Sequence, residues 1–419
     1  MQPPTDDARS REKRVVITGM GAVTALGSDW PTIEARLRSR NNAVCYMADW
    51  ERFAEMNTRL GAPITDFVVP PHYPRKKLRS QGRVSLLATR ATELALADAG
   101  LLGDASISDG RMGIAYGSST GSTHAIGEFG QMILHNSMKN ITATTYIQMM
   151  SHTAAVNVGL FFGLKGRVIP TSSACTSGSQ GIGYAYEAIR FGRQQMMVAG
   201  GAEELCPTEA AVFDTLFATS TRNRETRLTP RPFDRDRDGL VIGEGAGTLV
   251  LEELEHALAR GAHIHAEIIG FACNADGAHI TQPEATTIEL VMRQALADAG
   301  LTADAIGYVS AHGTATDRGD IAESTATNKV FGEQTPISSL KSYTGHTLGA
   351  CGAIEAMVTI EMLNNGWYHP TVNLDHVDPA CAALDYITGD GRHLQNEFVM
   401  SNNFAFGGIN TSLVFRRWH

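Results

Sequence analysis

Apolar and polar positions along this chain fall into a pattern that occurs twice. KRVVITGMGAVTALG, from Lys13, reads as a β-strand, and HAEIIGFACNADG, from His265, reads as a similar one. Each precedes an amphipathic helical stretch that closes on the same heptapeptide, ALADAGL, at Ala95–Leu101 and again at Ala295–Leu301, with Gly at the helix end. Each heptapeptide leads into an apolar strand ending in small residues: GIAYG at Gly113–Gly117 before SSTG, and GYVSA at Gly307–Ala311 before HGTAT. Further on, a strand ending in Pro and hydroxyl residues enters a glycine-rich helix, PTSSACTSGSQGIGYAYEAI from Pro170 and PISSLKSYTGHTLGACGAIEAM from Pro336. Gly inside a helix costs roughly 0.5–1 kcal/mol relative to Ala, so both helices are expected to pack tightly, each with its counterpart as the natural neighbour. The repeated order predicts two related α/β halves, residues 14–260 and 261–419, behind a loose polar tail at residues 1–13.

Composition narrows the function. A chain of 419 residues with 43% hydrophobic content can bury a large core. Met1–Arg14 is polar, contains Pro3 and Pro4, and lacks the apolar run of a secretory leader. The most apolar segment, Val156–Leu164, is broken by Gly159 and Gly163 and is far shorter than the ~18 residues of a membrane span. Six cysteines, at 45, 175, 206, 273, 351 and 381, show no CxxC pair, so reduced thiols and a cytoplasmic location are expected. A formal net charge of −9 argues against a protein built to coat nucleic acid. Against that background Arg75, Lys76, Lys77, Arg79 and Arg83 stand out as a basic cluster, either a solvated face or a docking site for an acidic partner.

Three residues carry the candidate chemistry. Cys175, in SSACTSGS, lies between an apolar strand and the start of the first small-residue helix. A helix N-terminus lowers a thiol's pKa and so favours the nucleophilic thiolate; a small buried core cysteine is the bland alternative. His312, in SAHGTATDRGD, and His346, in LKSYTGHTLGACGA five residues after Lys341, each sit where an element ends beside Gly, Ser and Thr. If the halves pack about a pseudo-twofold axis, both imidazoles and the lysine reach the helix carrying Cys175. A zinc site is disfavoured, because separations of 137 and 34 residues leave no short ligand pair. GMGAVT at Gly19–Thr24 lacks the third glycine of a dinucleotide fingerprint, and Lys341 lacks the glycines of a P-loop.

Assembled, these motifs resemble the β-ketoacyl-acyl carrier protein synthases of the elongating kind. The likeness runs from RVVITGMGAVTALG to SNNFAFGGINTSLVF and includes TSSACTSGSQGIG, MVAGGAEE, RPFDRDRDGLVIGEGAG, AHGTATDRGDIAES and KSYTGHTLGACGA in the family's order. The resemblance implies a thiolase-type duplicated fold of five layers, αβαβα. It implies that Cys175 accepts an acyl group from a carrier's phosphopantetheine arm, that His312 and His346 hold the malonyl thioester oxygen during decarboxylation, and that the backbone N–H groups of Cys175 and Phe406 form the oxyanion hole. It further implies a supporting ion pair between Lys341 and Glu323, contacts of Thr314 and Thr316 with the arm, gating by Phe404 and Phe406, and carrier docking on Arg75, Lys76, Lys77 and Arg79. No cofactor or metal is implied beyond the carrier-borne arm. The implied partners are an acyl carrier protein and a second copy of the chain, or a chain-length-factor-like relative in its place.

This chain departs from the family pattern in two places. Asp317 and Arg318 follow Thr316 where Thr-Pro is usual, and Ala405 stands where Gly is common in the last loop. A thiolase, which shares the fold, would place a second cysteine in that loop, and SNNFAFGG has none. An inactive chain-length factor would lack the nucleophile. Housekeeping fatty acid elongation and a specialised polyketide or polyene pathway are not separated by sequence.

Overall fold

The computed structural model describes residues 12–419; the greater part of the tail expected at residues 1–13 lies outside them. Eleven strands form one mixed sheet: β1 (Val15–Thr24), β2 (Met112–Gly117), β3 (Val168–Thr171), β4 (Met196–Glu203), β5 (Gly245–Glu253), β6 (Ala266–Ala275), β7 (Ile306–Ser310), β8 (Pro336–Ser338), β9 (Asp385–Tyr386), β10 (Phe398–Ala405) and β11 (Ile409–Arg417). Their spatial order is β9-β8-β7-β10-β11-β6-β1-β5-β4-β2-β3. Read outward from the centre, β1-β5-β4-β2-β3 and β6-β11-β10-β7-β8 are the same arrangement made twice. The halves join where Val15–Ile17 of β1 pairs antiparallel with Ala266–Ile268 of β6.

The repeated heptapeptide has a structural cause. It ends helix α1 (Arg83–Asp98) in the first half, and in the second half the equivalent helix α4 (Ala285–Ala299). Asp98 accepts the backbone N–H of Met20 on β1, and Asp298 accepts that of Phe271 on β6, at 2.8 and 3.0 Å. A side chain at Gly19 would strike Ala95 and Ala99, and one at Gly270 would strike Ala295 and Ala299, so the alanines and glycines set the same helix-to-strand approach in both halves. Gly100 and Gly300 both have φ +68°, the left-handed value that ends a helix without Cβ strain.

Between the two groups of strands run the small-residue helices α2 (Ser177–Arg190) and α6 (Cys351–Asn365), with α3 (Pro207–Asp214) and α5 (Asp317–Phe331) completing the set used below. The inner pair touches backbone to backbone. A Cβ on Gly178 would lie 3.0 Å from the Ala353 nitrogen and the Gly349 carbonyl, and one on Gly352 would lie 2.8 Å from Ser179. α1 and α4 cover the outer faces, which gives five layers, αβαβα, and leaves the N-terminal ends of α2 and α6 side by side in the interior. Among the described residues no helix is long and apolar enough to cross a membrane.

Candidate active site

Cys175 sits on a single 3-10 turn, Ala174–Thr176, that feeds α2. The turn begins with Ala174 at φ +51°, a left-handed value that a side chain rarely adopts. Ser177 holds the turn: its hydroxyl donates to the Ala174 carbonyl and accepts the Ser173 N–H. The thiol is 3% exposed and forms one wall of a cavity of about 540 Å³.

Both histidines meet it there. His346 Nε2 lies 3.0 Å from Cys175 Sγ, and the two imidazoles stand edge to face with centroids 5.1 Å apart. Their hydrogen bonds fix their tautomers. Leu348 N–H donates to His346 Nδ1, so the proton of that ring is on Nε2, facing Cys175. Lys341 Nζ donates to His312 Nδ1 at 3.1 Å, which likewise leaves His312 with Nε2–H. Burial, with Lys341 nearby, holds both rings well below the usual histidine pKa, so both are neutral donors. With both Nδ1 atoms occupied and protons on both Nε2 atoms, the rings present no lone pair to a metal, although the Cys175, His312 and His346 donor atoms lie within 4.8 Å of one another.

Two expectations need correction. Lys341 does not pair with Glu323: its ammonium, 1% exposed, meets Glu355 Oε1 at 2.5 Å. Glu355 lies on α6, one turn beyond Cys351, and its other oxygen accepts from Asn403 at 2.7 Å. Glu323, on α5, instead accepts the backbone N–H groups of His312 and Gly313, at 2.7 and 2.6 Å. It therefore shapes the loop that carries His312, and burial pushes its carboxyl up to about 8 against the pull of those donors. The second correction concerns the thiol. Its position before α2 does not make it acidic. Burial pushes Cys175 up to about 11, opposed by Lys341 and by the backbone N–H groups of Phe406 and of Cys175 itself.

Both N–H groups thus favour negative charge at the sulfur, the effect an oxyanion hole requires of the groups around a nucleophile. Phe406 packs its ring on Phe213, with centroids 4.8 Å apart, and Phe404 stands edge-on to His312 at 6.0 Å. Thr314 and Thr316 line the cavity, their hydroxyls 2.9 Å apart. Arg75, Lys76, Lys77 and Arg79 are exposed on and beside the short helix Arg75–Leu78, away from the cavity lining; Arg83 is engaged by Glu244. Glu355 and Asn403 are the residues sequence reasoning missed. A single acid in the otherwise apolar, buried stretch GACGAIEAM was the available sign of Glu355, since a buried carboxylate requires a partner.

The β-ketoacyl synthase N-terminal domain model matches residues 12–257, and its C-terminal domain model matches 265–375. The chain belongs to the β-ketoacyl synthase family. It is 37% identical to 3-oxoacyl-[acyl-carrier-protein] synthase 2 of Vibrio cholerae over 97% of this chain and 99% of that one. The crystal structure of a β-ketoacyl synthase from Burkholderia phymatum is 66% identical and superposes with a TM-score of 0.96 over 97% of this chain and 100% of that one. A type II polyketide ketosynthase, solved in complex with its acyl-carrier protein, is 30% identical with a TM-score of 0.86 over 97% and 100%. Within this family the two imidazoles are the informative feature, because both are fixed as N–H donors toward a thiol.

Proposed function

We propose that this β-ketoacyl synthase is an elongating 3-oxoacyl-[acyl-carrier-protein] synthase, extending a fatty acyl or polyketide chain by two carbons through decarboxylative condensation. The observation that carries the reading is the pair of Nε2–H donors beside Cys175.

In the first half-reaction Cys175 Sγ attacks the thioester carbonyl of the acyl-loaded arm. The oxyanion forms against the N–H groups of Cys175 and Phe406, and His346 Nε2–H, 3.0 Å away, stabilises the developing thiolate. The arm's sulfur leaves and carries off the thiol proton, so no charge remains. In the second, a malonyl arm enters and its thioester oxygen accepts from His312 and His346. Carbon dioxide departs, and the electron pair of the broken C–C bond forms the enolate. The enolate carbon attacks the acyl-Cys175 carbonyl; the thiolate is expelled and takes a proton from water. Neutral imidazoles suit this task, since an uncharged N–H stabilises the enolate as a hydrogen-bond donor but is too weak an acid to protonate it. Thr314 and Thr316 line the path of the arm.

The substrates arrive on an acyl carrier protein, and no cofactor is needed beyond its arm. The exposed edge strand β3, which pairs only with β2 among the described residues, suits pairing with a second copy of the chain or with a chain-length-factor-like relative, and the enzyme works in the cytoplasm.

Incubation with an acyl carrier thioester tests the reading. The peptide containing Cys175 gains one acyl mass and loses it on adding malonyl carrier; an unmodified Cys175 peptide in a preparation that still condenses would refute it.

A further inference from the structure

The cavity that ends on Cys175 opens between two apolar lips. On one side are Leu216 and Phe217, just beyond the end of α3; on the other is Ile280, in the loop after β6. All three line the cavity, yet they face solvent: Phe217 is 87% exposed and Ile280 70%. Phe217 is also the residue that turns the chain back after α3, with φ +53°. Helices ordinarily end on Gly or Asn in that conformation, and a bulky residue there is strained. One residue thus combines an exposed aromatic ring with unfavourable backbone at the threshold of the site, although the turn itself closes through backbone bonds from Phe217 N–H to Asp214 and from Ala218 N–H to Phe213 and needs no aromatic side chain.

We infer that Leu216, Phe217 and Ile280 form an apolar seat for the carrier protein, on which its own apolar surface rests while its arm occupies the tunnel. The inference builds on the carrier-dependent reaction proposed above. Position selects the occupant. Any partner on these lips covers the mouth of the cavity, so a permanent neighbour would stop turnover, whereas a carrier threads its arm through the opening it covers. Arg318, exposed on the rim at the start of α5 and free of ion pairs among the described residues, places a positive charge beside the seat, suited to a carrier of acidic character. The seat is separate from the Arg75–Arg79 cluster, which lies off the cavity lining.

Steady-state kinetics of Phe217→Gly and Ile280→Ser test it, each with an acyl carrier thioester and with the same acyl group on N-acetylcysteamine. Gly accepts φ +53° without strain, so Phe217→Gly keeps or raises the melting temperature. Both variants should raise KM for the carrier substrate about tenfold at unchanged kcat and leave the short thioester's kinetics as they were. The ratio should persist in high salt, because screening weakens ion pairs and spares apolar contact. Unchanged carrier KM, or equal losses with both donors, overturns the seat. A wild-type enzyme that accepts the short thioester but no carrier overturns the carrier reading itself, and the seat with it.

Discussion

Lys341 Nζ sits 3.1 Å from His312 Nδ1, and this contact decides which nitrogen of His312 carries its proton. The lysine is held for that purpose by Glu355 and is sealed from water. Lys341→Met leaves His312 free to choose the other tautomer, which turns Nε2 from donor to acceptor. Decarboxylation should fall by about 10²–10³, the usual cost of one oxyanion donor, while acylation of Cys175 falls less. Release of labelled carbon dioxide, set against the mass of the acylated enzyme, separates the two.

The ion pair itself should behave as a unit. Removing either partner alone leaves a buried uncompensated charge, which costs about 3–5 kcal/mol, whereas removing both costs much less. Urea denaturation of Glu355→Leu, Lys341→Met and the double variant measures this. Additive losses would show that the two groups do not support one another.

His312→Ala should still accept an acyl group on Cys175, because the N–H groups of Cys175 and Phe406 and the His346 donor remain. His346→Ala, which removes the donor 3.0 Å from the sulfur, should be acylated more slowly. Each should lose carbon dioxide release by a similar factor of about 10²–10³. Equal loss of both half-reactions in His312→Ala would contradict the division of labour.

Burial sets the acidity of the thiol. With Cys175 pushed up to about 11, the rate of alkylation by iodoacetamide should climb about tenfold per pH unit from pH 7 to pH 10, following the thiolate fraction. Because Lys341 pulls that value down, Lys341→Met should alkylate more slowly than the wild type at pH 9. A rate that levels off near pH 8.5 would contradict the effect of burial.

The same burial has a consequence for acid stability. Both imidazoles bind protons less readily folded than unfolded. Between the unfolded value of about 6.5 and the lower folded values, the unfolded chain holds the extra protons, so stability is intact above pH 6.5 and lost as pH falls below it, by about 1.4 kcal/mol per pH unit for each ring. Glu323 and Asp320, both raised by burial, titrate with the opposite sign, so the comparison is with His312→Asn/His346→Asn. Urea unfolding at pH 7, 6 and 5 should show the double variant losing less stability than the wild type. Parallel losses would refute the assignment.

The duplication was legible in the sequence because its constraint is local. ALADAGL recurs since Ala95, Ala99 and Asp98 meet Gly19 and Met20 as Ala295, Ala299 and Asp298 meet Gly270 and Phe271. The small residues of α2 and α6 announced their contact for the same reason. The ion pair was less legible. Glu323 and Glu355 are both buried acids within reach of the site, and spacing alone does not say which one faces an ammonium and which one gathers backbone N–H groups. Nor did the position of Cys175 before a helix reveal its acidity, because depth of burial is a property of the packed halves, and here it outweighs the N–H groups around the sulfur.

His346 belongs to the second half by sequence, but its peptide is held by the first: its N–H donates to Val241 and its carbonyl accepts from Gly243. A slight shear between the halves therefore leaves His346 with the sulfur and carries His312, whose loop is held by Glu323 of the second half, away from both, while each half keeps its own core. Catalysis should fail before cooperative unfolding begins, so loss of turnover under mild urea reports on the seam long before circular dichroism does.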